Sequence, residues 1–356
     1  MSDARRMGLL RSAVLLTATV CSAEPLAFGL VHANVWLPSP VVSTASQELS
    51  QADAALQAGE ADKTLALLAS GPSTGEDAAR VHNLLCRVRL MLEQWEPAVE
   101  ECRQAVRLDG QESDYHLWLA RALGEKAANA SFMTAFSLAK QSRAEFEESV
   151  RLNPRNAAAL SDLGDFYRQA PGIVGGGIDK ATQVSSQLDK VDPVEAHQLR
   201  ARIAEDQKDY ATAEREFKQA ITVSPHPALA YTGLASFYKR QKRYDDMEST
   251  LRAVLGAPVR DKNAAVAFYD GAGVLIEAKR APDLAATLLS DYLASANKKE
   301  EAPAFVAHLR LARLKAKMGD GAGAERERTA ALAMAREYKP AQDFNLSDSV
   351  HQESKR

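Results

Sequence analysis

An all-helical solenoid is what this sequence predicts, and three observations carry the prediction. From Ala196 to Val254, two copies of one thirty-four-residue pattern lie end to end without a gap. His197, Ala201, Tyr210, Ala213, Phe217 and Ala220 in the first copy fall where the second has Tyr231, Ala235, Tyr244, Met247, Leu251 and Val254. Alanine at the eighth and twentieth positions lets two antiparallel helices approach closely, while larger residues at the seventh, eleventh and twenty-fourth fill the groove beside them. The second observation is compositional: Ala, Leu, Glu, Lys and Arg are abundant, aromatics make up 6%, and no alternating Val/Ile/Thr runs appear. Third, one such hairpin cannot bury its own apolar face, so a chain of 356 residues built this way grows by repetition and needs no second core.

The spacing, with Pro225 closing the first copy, resembles the tetratricopeptide repeat, whose signature runs W-x2-L-G-x2-Y, then A-x3-F, then P. The resemblance implies a right-handed superhelix of about eight antiparallel hairpins. It also implies a non-enzymatic scaffold that binds a protein or extended peptide along a concave face lined by the first helices.

Taken in order, residues 1–23 read as a secretory signal peptide. Arg5, Arg6 and Arg11 precede the apolar run Ala13 to Val20, and Cys21-Ser22-Ala23 ends it with small residues. Cleavage after Ala23 gives a secreted or periplasmic protein with no integral membrane segment; the alternative is an uncleaved N-terminal anchor. Residues 24–44, with Pro25, Pro38, Pro40 and no helical period, read as a linker, with Trp36 placed to dock on the first hairpin. The solenoid is expected over 45–338. Hairpin 1 is degenerate, with Ala52, Ala55, Gly59, Thr64 and Leu68 in frame. Hairpin 2 carries His82-x2-Leu85-Cys86 and Ala98-x3-Cys102. In hairpin 3, His116-x2-Leu119-Ala120 is followed by Ser142-x3-Phe146 ten residues late, with no proline between, so its helices are expected to be lengthened. Hairpin 4 has Leu160-x2-Leu163-Gly164-x2-Tyr167 and a glycine-rich turn over 171–177. Hairpins 5 and 6 are the two aligned copies. Hairpin 7 spans roughly Lys262 to Ser295 in uncertain register, and hairpin 8 has His308-x2-Leu311-Ala312, then Ala324 and Ala331. Residues 339–356 are expected to be a disordered polar tail.

Signals for chemistry are few. His82, His116, His197 and His308 share the fourth repeat position. Equivalent positions in successive repeats lie at least ~8–10 Å apart, whereas zinc ligands converge within ~2 Å of one ion, so packing is the expected role and no metal is implied. The stretch Gly172-x4-Gly177 lacks the GK[ST] of a phosphate loop and follows a helix, and Asp179 is expected to cap the helix after it. No G-x-S-x-G, HExxH or Cys-x-x-Cys occurs, so no catalytic residue and no cofactor is assigned. A net charge of −3 argues against nucleic acid as partner.

The 3.6-residue period and the family resemblance place positions two, five, nine and twelve of each first helix on the concave face. Arg87, Arg121 and Arg202 occupy the ninth position, Asn83, Leu117, Gln198 and Thr232 the fifth, and Lys239 the twelfth. As a row they suit a protein or peptide partner bearing carboxylates. Equally open is the reading that they are solvated or pair with neighbours such as Asp165 and Glu205. On the first reading, replacing the three arginines by glutamine leaves stability nearly unchanged. The alternative function is an exported helical enzyme or glycan-binding protein with an acidic and aromatic site near Tyr115, Trp118 and the glycine-rich turn over 171–177. Finally, Cys86 and Cys102 fall level across one hairpin, each eight residues from Gln94. That geometry permits a disulfide without demanding one.

Overall fold

A computed structural model of the chain describes residues 44–72, 74–257 and 262–346. The proposed signal peptide and linker lie outside them, apart from Thr44. Among the described residues the secondary structure is helical throughout, seventeen α-helices and one short 3₁₀ turn. Eight antiparallel pairs follow one another: α1 (Thr44–Gln57) with α2 (Ala61–Leu68), α3 (Glu76–Met91) with α4 (Trp95–Leu108), and α5 (Ser113–Ala128) with α6 (Phe132–Leu152). Next come α7 (Ala157–Gln169) with α8 (Ile178–Leu188), α9 (Pro193–Asp206) with α10 (Tyr210–Val223), and α11 (Ala228–Arg240) with α12 (Tyr244–Gly256). The array ends with α13 (Lys262–Ala278) and α14 (Pro282–Ala294), α15 (Ala304–Lys317) and α16 (Gly321–Met334), then the short α17 (Lys339–Gln342).

Outside hairpins 3 and 4, the link between the two helices carries a left-handed residue at a fixed place, and hairpin 7 has a second, Ala281 at φ 42°. Gly59, Glu93, Lys208, Lys242 and Gly319 have φ between 58° and 82°, and all stand at the fifteenth repeat position. Lys279, at φ 54°, is the corresponding residue of hairpin 7 and fixes the register that the sequence left uncertain: the frame of α13 starts at Ala265, and α14 follows one residue late, after Ala281. Asp209 and Asp320 then cap α10 and α16 through their carboxylates, satisfying otherwise orphaned amides. The late second half of hairpin 3 is absorbed mainly by α6, which runs to 21 residues.

Small residues at the expected positions are buried where helices cross. Ala201, Ala213, Ala235, Ala98 and Ala181 have no exposed surface. At Gly164, a Cβ would lie 2.4 Å from Leu199 Cδ2 and 3.3 Å from Val184 Cγ1, and Leu199 is itself fully buried. Gly164→Leu is therefore expected to destabilise by about 1–3 kcal/mol through overpacking. Urea unfolding measures it, and a variant as stable as wild type would show that this crossing is looser than described.

The two ends of the array meet. Leu49, Leu56, Leu68, Val81, Leu84 and Leu92 from the first helices share one apolar core with Phe305, Leu309, Ala331, Tyr338 and Ala341 from the last. The Gly59 turn sits on the start of α15 so closely that a Cβ there would stand 2.4 Å from the Ala304 amide nitrogen. Polar contacts rim the junction: Tyr338 Oη donates to Glu93 Oε1 at 3.1 Å, and the Arg336 amide donates to Asp62 Oδ2 at 3.2 Å. Terminal repeats of an open solenoid need polar caps; here the apolar faces of the first and last hairpins cover each other.

Two expectations are corrected. Polarity after residue 338 predicts a disordered tail, yet Lys339–Gln342 form a helical turn with Ala341 fully buried, because Tyr338, Ala341 and Phe344 are apolar at the spacing that reaches the closing core. Asp179 does not cap α8. Gly177 occupies that place with no side-chain bond, and Asp179 sits inside the first turn.

Candidate functional site

The first helices of hairpins 5 to 8 surround a cavity of about 390 Å³. Helix α9 contributes Glu195, Gln198 and Arg202; α11 contributes Leu229, Thr232, Gly233, Ser236 and Lys239. Asp270, Gly273, Val274 and Glu277 come from α13, and Arg310 from α15. Four of the eight residues expected on the concave face, Gln198, Arg202, Thr232 and Lys239, thus share one space. The helical period explains why: positions two, five, nine and twelve lie on one stripe, and adjacent first helices turn that stripe toward a common interior.

Charge in this space is balanced. Lys239 pairs with Glu277 across α11 and α13. Arg202 Nε lies 3.0 Å from Asp165 Oδ1 and its Nη2 4.0 Å from Glu195 Oε2, but both nitrogens are buried without an aligned acceptor. Gln198 donates from Nε2 to Glu195 Oε1 at 3.0 Å. The Arg310 guanidinium lies over the Tyr269 ring at 4.0 Å. Burial pushes the Asp270 carboxyl up to about 6, with Arg310 working the other way and Glu301 adding to the rise. Glu195 is raised as well, chiefly by burial and despite Arg202.

Glycine hollows the walls. A helix-interior glycine costs about 1 kcal/mol against alanine. At Gly271 that cost accompanies close nesting: Leu251 and Leu288 side chains would stand 3.1 and 3.4 Å from a Cβ. At Gly233 and Gly273 the nearest neighbours are instead polar side-chain ends lining the cavity, Gln198 Oε1 at 2.8 Å and Arg310 Nη1 at 3.2 Å.

The remaining expected residues lie elsewhere. Arg87 reaches across the junction to Glu300, in the segment before α15, donating from Nε at 2.8 Å, and lies 3.3 Å from Asp53. Only 13% of the Arg87 side chain and 7% of the Glu300 side chain are exposed, so the expectation that its replacement leaves stability unchanged fails. Asn83 is buried beside it. Arg121 donates to Asp162 Oδ2 at 2.6 Å, and with Arg87 it brackets the Trp118 ring, at 4.6 and 5.2 Å. Leu117 is buried with Leu160 and Leu163, not displayed on the concave face, because the next first helix, α7, packs against it there.

The histidines form ladder rungs. His82, His197 and His308 each bond through Nδ1 to a glutamate nineteen residues on, Glu101, Glu216 and Glu327. His116 meets Glu145 at a separation of twenty-nine, the same relation displaced by the ten extra residues of hairpin 3. Each rung ties the two helices of its own hairpin. In the glycine-rich turn, Lys180 donates to the Gly175 carbonyl at 2.8 Å and Arg143 to that of Val174 at 3.3 Å, which pins the loop to its own array. Cys86 and Cys102 are bonded, with Cα atoms 5.1 Å apart.

A family model described as tetratricopeptide repeat matches residues 194–227, which cover hairpin 5. No curated protein matches the sequence. Among solved structures, a thermophilic TPR protein of Thermus thermophilus is 18% identical over 54% of this chain and 98% of its own, with a TM-score of 0.46. A tetratricopeptide repeat protein of Parabacteroides merdae is 14% identical over 75% and 97%, TM-score 0.43. PilF of Pseudomonas aeruginosa is 16% identical over 76% and 99%, TM-score 0.39. Hairpin 5 is thus matched as a tetratricopeptide repeat, and its turn and packing positions recur along an all-helical array of repeated hairpins.

Proposed function

We propose that the chain is a protein-interaction scaffold that seats a segment of a protein or peptide partner in the cavity of hairpins 5 to 8. The observation that carries this is the convergence of Gln198, Arg202, Thr232 and Lys239 from successive first helices onto one 390 Å³ space. Three cations there face three carboxylates, which supports a segment bearing both signs over a purely acidic one. The signal-peptide reading of residues 1–23 makes it a secreted or periplasmic scaffold, and the bonded Cys86 and Cys102 support that reading, since such bonds persist in oxidising compartments.

Affinity capture by the mature protein from an extract of its own host's envelope tests the scaffold. Arg202→Gln with Lys239→Gln is expected to reduce capture of a specific partner at least fivefold while the far-ultraviolet circular dichroism stays that of wild type. Undiminished capture by that variant would remove the cavity from the interface. The second reading, an enzyme or glycan-binding protein, draws on one observation: two carboxyls raised by burial, Asp270 and Glu195, line the same polar cavity. Enrichment of an oligosaccharide in place of a protein would favour it.

A further inference from the structure

The cavity holds two unmet demands of opposite sign. Arg202, though ion-paired with Asp165 at 3.0 Å, has two buried guanidinium nitrogens without an aligned hydrogen-bond acceptor. Among the described residues no hydrogen bond reaches the Asp270 carboxyl, whose one favourable charged neighbour, Arg310, is spread over the Tyr269 ring. Buried polar groups ordinarily complete their hydrogen bonds, so two groups with hydrogen-bonding capacity left over in one cavity mark a place where a ligand supplies it. The space, about 390 Å³ and open toward solvent, accommodates a short peptide. Gly233 and Gly273, unforced by backbone packing, keep it open at a cost to their helices.

We propose that this cavity binds an unblocked short peptide by both of its charged ends, the carboxylate at Arg202 and the ammonium at Asp270. The proposal rests on the scaffold's cavity being its binding site, and names what that site holds. Gln198 and Thr232, beside Arg202, offer polar atoms to the peptide backbone, and Ser236 with the two glycines leaves room for its side chains. A ligand with only one charged end leaves either Arg202 or Asp270 unmet. Because Asp270 titrates near 6, it accepts an ammonium above that pH and loses this capacity below it. The other ionisable groups facing it from the packed helices are Glu195, Glu277, Glu301, Lys239, Arg202, Arg310, Tyr269 and Tyr292.

The test is equilibrium dialysis of the mature protein against three dipeptide pools of equal composition, free, N-acetylated and C-amidated, with retained species read by mass spectrometry. Free dipeptides at 1 mM total, a concentration on the order of the weakest useful affinities, are expected to be retained, and both blocked pools at least tenfold less. Retention of the free pool should fall about tenfold between pH 7.5 and pH 5, following protonation of Asp270. Asp270→Asn should abolish the discrimination against the acetylated pool, and Arg202→Gln that against the amidated pool, with helix content unchanged. Equal retention of all three pools, or none of any, overturns the proposal. If the captured protein partner is still lost in the Arg202 and Lys239 variant while no dipeptide is retained, the scaffold reading stands and this one falls.

Discussion

Replacing Arg87 by methionine is expected to destabilise the protein by about 3–5 kcal/mol and to open the array at its junction while leaving helix content close to wild type. Methionine keeps much of the length and apolar stem of arginine, so the change isolates the charge. Glu300 would remain buried with only the Gln57 amide, which donates to its Oε1 at 2.9 Å. In the native protein, burial works against the Arg87 charge, and hydrogen bonding to Glu300 together with the charges of Glu300, Asp53 and Glu301 outweighs it, so the guanidinium is held above its usual range. Removing one partner of such a pair costs far more than the pair itself contributes. For that reason Arg87→Met combined with Glu300→Leu is expected to recover most of the loss. Urea unfolding measures the energies, and small-angle scattering reads the opening as an increased radius of gyration. A single variant within about 1 kcal/mol of wild type, which is the scale of an exposed pair, with unchanged scattering, would show that the apolar junction closes the array without this pair.

The junction shows where sequence reasoning stopped. Hairpins were legible because their determinants are local and repeated: small residues such as Ala201 and Ala235 at every helix crossing, and a turn of fixed length between them. Closure rests on pairs such as Gln57 with Glu300, 243 residues apart and present once, so no period announces them. Glu300 itself stands outside the repeat frame, in the connection that precedes α15. The His–Glu rungs lie between these cases. Their nineteen-residue spacing is in the sequence, and the His116–Glu145 separation of twenty-nine even locates the insertion in hairpin 3, but the likeness of one histidine position to the next does not point to the glutamate opposite.

The cavity was half legible for a related reason. Gln198, Arg202, Thr232 and Lys239 stand at expected positions of hairpins whose frame was secure. Asp270 and Arg310 occupy the sixth position of hairpins 7 and 8, off the expected stripe, and the frame of hairpin 7 became definite only through Lys279 at its turn. All four fifth-position residues, Asn83, Leu117, Gln198 and Thr232, lie buried, but Leu117 packs against Leu160 and Leu163 of the next first helix while Gln198 and Thr232 edge the cavity. Periodicity fixes direction around one helix and says little about how near the neighbour comes.

Replacing Cys86 and Cys102 together by alanine is expected to cost up to about 3 kcal/mol, because a cross-link closing a loop of ~15 residues removes that much entropy from the unfolded chain. The pair lies sixteen positions apart and both side chains are fully buried, packed among Ala98, Val99, Leu119 and Leu123. In an array whose repeats contact mainly their neighbours, the loss should be concentrated in α3 and α4. The consequence reaches further here, since Cys86 is followed directly by Arg87. The disulfide clamps α3 to α4 one residue before the side chain that ties α3 to Glu300, so the two features hold the same turn of one helix. Residues so placed couple. The triple variant carrying Arg87→Met as well should therefore lose less than the separate losses combined, by about 0.5–3 kcal/mol. Hydrogen exchange over 76–108, with unfolding energies for the single, double and triple variants, measures both claims. Strict additivity would separate the disulfide from the junction, and an alanine pair as stable as wild type would leave the packing of the second hairpin sufficient without the bond.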